Sequence, residues 1–256
     1  MWRKIRISIL LGILTMVAGN TYIEQRDATD WIETLDVVVY PINGDGSEVT
    51  ERYIRQLQDS DFSNIARFMR RQGAYYEIGS RNPVKVRVAD VVDAMPPRQV
   101  QGKEASVLDT VWFSLKMRWW AAFHDNGWNA GDIRMFVVYF APEGNDVIPD
   151  SLALPKGLIG LVYAYADSGY GGTNNFVIAH EMLHTLGATD KYDPVTNMPL
   201  YPVGYANPYV THRYPQKMAE IMGGRIPVDS ELAYIPNSLD DAVIGSRTAL
   251  EINWFN

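Results

Sequence analysis

The sequence predicts a single α/β domain in which helices cover a β-sheet. Three apolar runs rich in β-branched and aromatic residues, together with one alternating segment, predict strands over residues 35–42, 84–88, 133–140 and 158–165. Apolar residues at helical spacing predict helices over residues 47–71, 105–124 and 174–186, and a last helix near residues 239–254. Because strands and helices alternate along the chain, we expect an α/β or α+β fold with helices packed on the sheet.

Local signals support these elements in order. The first strand ends at the turn sequence Asn-Gly-Asp-Gly of residues 43–46. The helix over residues 105–124 carries aromatic residues at helical spacing, which is typical of core residues. The helix over residues 174–186 begins near three possible N-caps and ends at a glycine, and these residues are Thr173, Asn174, Asn175 and Gly187.

Composition limits the classes of function. A chain of 256 residues with 47% hydrophobic and 21% charged residues fits one globular domain and excludes a mainly disordered protein. The net charge of -7 argues against a general nucleic-acid or anionic-membrane binder, because phosphate binding requires clustered Lys and Arg. The chain has no cysteine, which excludes thiolate metal sites, cysteine nucleophiles and disulfides. Any metal must therefore be bound by His, Asp or Glu.

The N-terminal segment has the layout of an export signal. Residues 1–6 are basic, and residues 7–19 are apolar and uncharged. As a helix, residues 7–19 would span only about 20 Å, which is short of the roughly 30 Å hydrocarbon core of a bilayer. We therefore expect a signal peptide over residues 1–19, a polar linker over residues 20–34 and one catalytic domain over residues 35–256. The protein is expected to be secreted or periplasmic, and to be anchored in a membrane only if residues 1–19 stay uncleaved.

The chemistry is concentrated in residues 180–190, where the sequence reads His-Glu-Met-Leu-His-Thr-Leu-Gly-Ala-Thr-Asp. His180 and His184 are four residues apart on a predicted helix, so both imidazoles project from one face and can bind one Zn²⁺. Glu181 follows the first ligand and is placed to take a proton from the attacking water. Gly187 ends the helix, so the chain can turn back and Asp190 can supply a third ligand. Three protein ligands leave the fourth position that a hydrolytic zinc site requires.

This pattern is specific for a chain with so few histidines. With 4 His in 256 residues, a His-Glu-x-x-His sequence would arise in only about 3 of 1,000 shuffled chains. The expected helix, its N-caps and its glycine stop also provide the structural context that the motif requires.

Residues 180–190 resemble the extended zinc signature of metzincin-type metallopeptidases, in the variant with Asp as third ligand that snapalysin-like enzymes carry. Residues 190–193, Asp-Lys-Tyr-Asp, also resemble the immune inhibitor A type peptidases. Residues 220–224 are similar to the Met-turn that lies beneath the metal in metzincins, which makes Met222 its methionine. The motif-level resemblance covers residues 176–224.

The resemblance implies a metzincin-like fold and a function. The fold would be a twisted mixed sheet with backing helices, an active-site helix, a Met-turn and a C-terminal helix, in which residues 158–165 form the edge strand that pairs with extended substrate. The function would be that of a zinc-dependent endopeptidase acting on a protein or peptide, with Glu181 as general base. We expect a monomer and no nucleic-acid partner.

The sequence departs from the family pattern at one position. In several metzincin groups a Tyr lies two residues after the Met and supports the transition state, but here that residue is Gly224. Tyr205, Tyr209 and Tyr214 are candidates for this role, although each is expected to be an ordinary core or surface residue.

Four alternatives remain open from the sequence. His212 could be a third nitrogen ligand, although a partly exposed histidine in a loop rich in Pro and Tyr is the plainer expectation. Glu220 would be the third ligand in a gluzincin-type peptidase, including an aminopeptidase. Asp193 could replace Asp190 as ligand or help bind a structural Ca²⁺. A non-catalytic exported protein could use zinc as a structural tie, although Glu181 argues against this because a structural site has no use for an uncoordinated carboxylate beside the metal.

Overall fold

The structure is a computed structural model that describes residues 26–98, 107–125, 127, 130–144, 148–154 and 157–255. The predicted signal peptide, residues 1–19, lies outside the described residues. Among the described residues, no helix combines the length and the apolarity that crossing a bilayer requires.

The core is a five-stranded mixed sheet, and the predicted mixed α/β fold is confirmed. The strands are β1 (Leu35–Asn43), β2 (Val84–Val88), β3 (Ile133–Phe140), β4 (Leu152–Leu154) and β5 (Ile159–Tyr165). Their order is β2-β1-β3-β5-β4, and only β4 runs antiparallel to its neighbour. Strands β1 and β3 lie inside this order and are almost wholly buried, which explains why their sequences are nearly continuous apolar runs.

Helices cover both faces of the sheet. They are α1 (Glu48–Ile54), α2 (Ser63–Tyr75), α3 (Val107–His124), α4 (Gly171–Thr185) and α5 (Ser246–Glu251). Helices α2 and α4 pack on the face that carries Val37 and Val39. Helix α3 packs on the opposite face, which carries Val38 and Tyr40. Successive β1 residues point to opposite faces, so one strand supplies both core layers.

Two helices have bounds that differ from those predicted. The single helix expected over residues 47–71 is divided into α1 and α2, because Gln58 and Asp61 cap a new 3₁₀ turn, Asp59–Phe62, between them. The last helix expected near residues 239–254 is only α5. Residues before α5 form a 3₁₀ turn, Leu239–Asp241, and a short strand, Ala242–Val243, and extended Gly245 then precedes the helix.

The predicted substrate-pairing edge strand is also misplaced. Strand β5 has neighbours on both sides, because β4 pairs with it from Leu152 opposite Leu161 to Leu154 opposite Ile159. The terminal strand on this side of the sheet is therefore β4, a segment too short and too weakly patterned to be recognised from sequence.

The folded domain begins before residue 35, within the segment expected to be a linker. Trp31 is buried, and its indole Nε1 donates a hydrogen bond to the carbonyl of Ile252 over 2.7 Å. Its ring also packs edge-on against Trp254, with 5.5 Å between the ring centroids. The described N-terminal residues are thus fixed to the C-terminal end of the domain.

Candidate metal centre

Helix α4 carries the two histidines and is defined at both ends. A 3₁₀ turn, Ser168–Tyr170, precedes it, and Asp167 caps that turn by accepting a hydrogen bond from the Gly169 amide. At its other end, Gly187 has a left-handed conformation with φ of 104°. The Gly187 amide donates to the His184 carbonyl and the Ala188 amide to the Leu183 carbonyl, which is the Schellman pattern. The predicted glycine stop is confirmed.

The predicted N-caps of this helix are not its caps. Asn174 and Asn175 lie inside the first turns of α4 and are buried. The Asn174 side chain accepts from the Tyr165 amide and donates to the Tyr165 carbonyl, so it fastens the helix to the end of β5. This contact fixes the direction in which α4 leaves the sheet.

The structure brings together three of the predicted ligand atoms. The Nε2 atoms of His180 and His184 are 3.1 Å apart. The Oδ1 atom of Asp190 lies 3.2 Å from Nε2 of His180 and 3.0 Å from Nε2 of His184. A tetrahedral zinc with bonds of about 2.0–2.1 Å holds its ligand atoms about 3.3–3.4 Å apart. The three atoms are therefore spaced closely enough to share one such ion.

The hydrogen bonds of the two imidazoles make both Nε2 atoms suitable ligands. Nδ1 of His180 donates to the Ile221 carbonyl over 2.8 Å, and Nδ1 of His184 donates to the Ala188 carbonyl over 2.7 Å. Because a carbonyl oxygen can only accept, each Nδ1 carries a proton, and a neutral imidazole then has its lone pair on Nε2. Two lone pairs and a carboxylate oxygen thus converge on one point, an arrangement that a bound cation stabilises.

Glu181 lies beside this cluster with one oxygen uncommitted. Its carboxylate is within 4.8 Å of ligand atoms of His180 and His184. The side chain is buried, and its Oε2 has no hydrogen-bond partner among the described residues. Burial raises the pKa of this carboxyl, although the neighbouring His180 and His184 lower it in part. An unpartnered buried oxygen next to a metal site is suited to bind and deprotonate a water molecule.

Asp190 is the partly exposed member of the cluster. Burial opposes its ionisation, but when the imidazoles of His180 and His184 are protonated, their hydrogen bonds and charge outweigh this and hold the pKa of its carboxyl well below its usual range. The side chain is therefore an anion over the whole working pH range and supplies the negative charge that a divalent ion favours.

Residues 221–223 form a tight turn that contacts helix α4. Ile221–Gly223 is a single 3₁₀ turn, and Gly224 closes it in a left-handed conformation with φ of 72°. Met222 is fully buried, and its carbonyl accepts from the Lys191 amide over 2.8 Å. The turn therefore contacts both His180, through the Ile221 carbonyl, and the loop that carries Asp190.

Glu220 is engaged elsewhere, which argues against it as a metal ligand. It is buried, and one carboxylate oxygen accepts from the Gly245 amide at 3.0 Å and the Thr248 hydroxyl at 2.6 Å. The other oxygen accepts from the Gly223 amide at 2.8 Å. Glu220 thus joins the tight turn to the start of α5, and the structure gives the gluzincin-type alternative no support.

Asp193 likewise has a local role. Its Oδ1 accepts hydrogen bonds from the amides of Val195 and Thr196, over 2.9 and 2.8 Å. This arrangement closes the turn after Tyr192 and leaves Asp190 as the carboxylate at the histidines. Among the described residues, no second group of three or more His, Asp or Glu side chains lies close together.

Tyr192 is a site residue that the sequence did not single out. Its ring centroid is 6.3 Å from that of His180. A Cβ atom added to Gly224 would lie 3.7 Å from its ring, so the tyrosine lies beside the position where the family pattern has a tyrosine of its own. Burial, together with the charges of Asp190 and Glu181 and a hydrogen bond to Asp190, raises the pKa of Tyr192 to about 12, so its hydroxyl remains a hydrogen-bond donor. Of the three tyrosines proposed from the sequence, Tyr205 and Tyr214 bond to each other, and Tyr209 is exposed.

A buried ion pair anchors the loop that carries Asp190. The Lys191 ammonium donates to the Glu251 carboxylate and to the Thr189 carbonyl, each over 2.8 Å. Glu251 also accepts from the amide and the hydroxyl of Thr189. These contacts tie the residues on either side of Asp190 to α5.

Replacing Lys191 by Met is expected to destabilise the protein by about 3–5 kcal/mol, because the Glu251 carboxylate would lose its buried partner. Arg247→Met is the matched control, since Arg247 contacts the same carboxylate but its side chain is 58% exposed, against 3% for Lys191. The control is expected to cost no more than about 1 kcal/mol. Urea unfolding of the wild type and the two variants measures the free energy of unfolding. Equal losses in the two variants would contradict the expectation that the buried Lys191–Glu251 pair contributes more than the exposed one.

The same pair predicts an acid-sensitive part of the stability. Burial opposes ionisation of Glu251, but Lys191 and Thr189 outweigh it and lower the pKa of this carboxyl below its usual 4.5. The native state therefore keeps this carboxylate ionised to lower pH than the unfolded chain does. Its contribution to stability is fully present above the unfolded-state pKa and is lost as the pH falls through the native-state pKa. We expect the melting temperature of Glu251→Gln to fall less than that of wild type between neutral and acidic pH.

No model of a known protein family matches the sequence, and comparison with curated proteins gives no match. The resemblance to metzincin-type peptidases therefore remains one of local motifs.

Proposed function

We propose that the protein is an exported zinc-dependent endopeptidase. The observation that carries this proposal is the convergence of two imidazole Nε2 atoms and one carboxylate oxygen within 3.0–3.2 Å, beside a buried glutamate. Neutral imidazole and carboxylate are ligands that zinc accepts, and three of them leave a position open for catalysis. The ligand set would be His180, His184 and Asp190.

Each residue of the cluster would have one chemical role. When bound, zinc acts as a Lewis acid that lowers the pKa of a water molecule and polarises the scissile carbonyl. Glu181 takes the proton from the attacking water and passes it to the leaving amine. The Ile221 and Ala188 carbonyls hold the two imidazoles in the tautomer and orientation that ligation needs.

The surroundings of Glu181 favour a catalytic zinc site over a structural one. A structural site is closed by four protein ligands, whereas this cluster has three and a glutamate with an unpartnered buried oxygen. Burying that oxygen without a hydrogen bond destabilises the fold, so a residue selected only for stability would not be expected there. Water activation gives the carboxylate a function.

The sheet edge next to the cluster favours an extended peptide as substrate. Strand β4 ends the sheet and pairs with β5 at Gly160. A Cβ atom added to Gly160 would lie 4.0 Å from Cβ of Glu181, so this part of the sheet runs directly beside the proposed base. A peptide that adds to β4 as a further strand would have its backbone held near the metal site.

Tyr192 is proposed to stabilise the oxyanion that forms as the carbonyl is attacked. Tyr192→Phe is expected to lower kcat roughly a hundredfold, because one hydrogen-bond donor to the transition state is lost. KM should stay close to wild type, and zinc affinity should fall by about tenfold at most, because the hydroxyl also bonds to Asp190. Tyr209→Phe, at an exposed tyrosine, should behave as wild type. Steady-state kinetics with zinc analysis tests this, and an unchanged kcat would remove Tyr192 from the mechanism.

Cleavage of N-terminally acetylated peptides tests the reaction class. Mass spectrometry of a mixed peptide pool should show internal cleavage of blocked and unblocked peptides alike, because the proposed site captures an extended backbone rather than a free amine. Cleavage restricted to unblocked N-termini would instead assign an aminopeptidase. A lack of cleavage of any peptide, with zinc bound, would favour the structural zinc site.

A further inference from the structure

Helix α3 exposes a continuous apolar face on the outside of the molecule. Five of its large apolar side chains are between 50% and 70% exposed, and together they form what we call the apolar stripe: Val111, Trp112, Leu115, Trp119 and Phe123. Their spacing of three to four residues places them on one side of the helix. Aromatic residues at this spacing were expected to be core, so the sequence-based prediction is wrong for Trp112 and Trp119.

The stripe is not needed to hold α3 in place. The opposite side of the helix packs on the sheet through Phe113, Met117 and Ala121, which are buried among core residues. Helix α3 therefore has two apolar faces, one used by the fold and one turned outward. A second apolar face that contributes nothing to the core requires its own explanation.

The size of the stripe argues against a second protein copy as its partner. The three aromatic side chains expose roughly 400 Å², taking about 200 Å² for each side chain. A stable dimer buries about 800 Å² on each partner, which is more than this single convex helix face offers. Tryptophan and phenylalanine side chains inserted side by side into a membrane interface need no complementary protein surface.

One exposed cation lies beside the stripe. Lys116 is exposed, whereas Arg118 is half-buried and its guanidinium lies against Gly157, where an added Cβ atom would be 2.9 Å from its Nε. The Lys116 ammonium lies 5.3 Å from the ring centroid of Trp112. The helix contains one acidic residue, Asp109, in its first turn. With Lys116 and Arg118 against Asp109, the helix has a local charge of +1, opposite in sign to the net charge of -7 of the chain. An apolar aromatic face beside an exposed lysine is complementary to a bilayer surface with anionic headgroups.

We propose that α3 docks the domain on an anionic lipid surface, with the apolar stripe inserted at the boundary between headgroups and acyl chains. Helix α3 and the metal-site helix α4 pack on opposite faces of the sheet, so this docking leaves the metal site on the side away from the lipid. The binding does not depend on the proposed peptidase activity.

A site-specific label separates docking through α3 from attachment through any other segment. The chain has no cysteine, so Ala122→Cys introduces one attachment point within the exposed side of α3 for an environment-sensitive fluorophore. Ala74→Cys is the matched control, since Ala74 is an exposed alanine on α2, on the other face of the sheet. The full-length protein is titrated with phosphatidylcholine vesicles that contain phosphatidylglycerol.

We expect the label at position 122 to shift to shorter wavelength and brighten severalfold, while the label at position 74 stays as in water. Combining Ala122→Cys with Trp119→Gln and Phe123→Gln should abolish the shift. Lys116→Gln should raise the lipid concentration needed for half saturation roughly fivefold. An unchanged label at position 122, or equal shifts at both positions, would overturn the proposal. A shift without vesicles that grows with protein concentration would assign the face to a second copy instead.

Discussion

Replacing Glu181 by Gln is expected to lower peptide hydrolysis about a thousandfold while the protein keeps its zinc. Glutamine has nearly the same shape but cannot accept a proton, so the attacking water would lose its base. The zinc should remain because the ligand atoms belong to His180, His184 and Asp190, whose spacing does not involve Glu181. Initial rates on a fluorogenic peptide and metal analysis of the same sample measure both quantities.

Glu231→Gln is the control for this experiment, because it makes the same chemical change at an exposed glutamate. It should leave rate and zinc content unchanged. Substantial activity in Glu181→Gln would remove Glu181 as the base. Loss of zinc from that variant would make Glu181 a ligand, and the site would then be closed in the manner of a structural zinc.

Replacing Asp190 by Asn is expected to weaken zinc binding more than a hundredfold. Losing a residue that only supports a ligand typically costs ten- to a hundredfold in affinity, and losing the charge of a ligand itself should cost more. The contacts with both imidazoles lower the pKa of Asp190, so the charged form is the one that the site stabilises. Competition with a chromophoric chelator gives the affinity directly.

Asp193→Asn is the matched control for Asp190→Asn, three residues further along the chain. Asp193 accepts hydrogen bonds from the turn that it closes, so its replacement should leave zinc affinity within a few-fold of wild type. The opposite ranking of the two variants would move the third ligand to Asp193. If both variants lose little zinc affinity, neither Asp190 nor Asp193 binds the metal.

The parts of the site that the sequence could predict are those set by local geometry. His180, His184 and Gly187 lie within eight residues, and helix periodicity with a glycine stop is enough to place both imidazoles on one face and to reverse the chain. The return of Asp190 to the imidazoles follows from the same turn. The sheet could be anticipated because its central strands are buried on both faces and are therefore strongly apolar.

The parts that the sequence did not reveal depend on contacts between distant residues. Lys191 and Glu251 are sixty positions apart, and nothing in either neighbourhood indicates that they pair. Tyr192 lies beside Gly224, which comes from a different loop. The burial of Trp31 similarly depends on Ile252 and Trp254. The exposure of Trp112 and Trp119 was missed because helical spacing alone does not tell which of two apolar faces meets the sheet.

The most direct test of the central claim is to follow peptide cleavage as zinc is removed from the wild-type protein and then returned. Our account predicts that activity disappears with the chelated metal and is recovered in proportion to zinc rebound, reaching its full value at one zinc per chain. It also predicts that Glu181→Gln binds the same amount of zinc and regains no activity. Cleavage that persists after all zinc has been removed, or zinc that returns in full to the wild-type protein without restoring cleavage, would contradict the account.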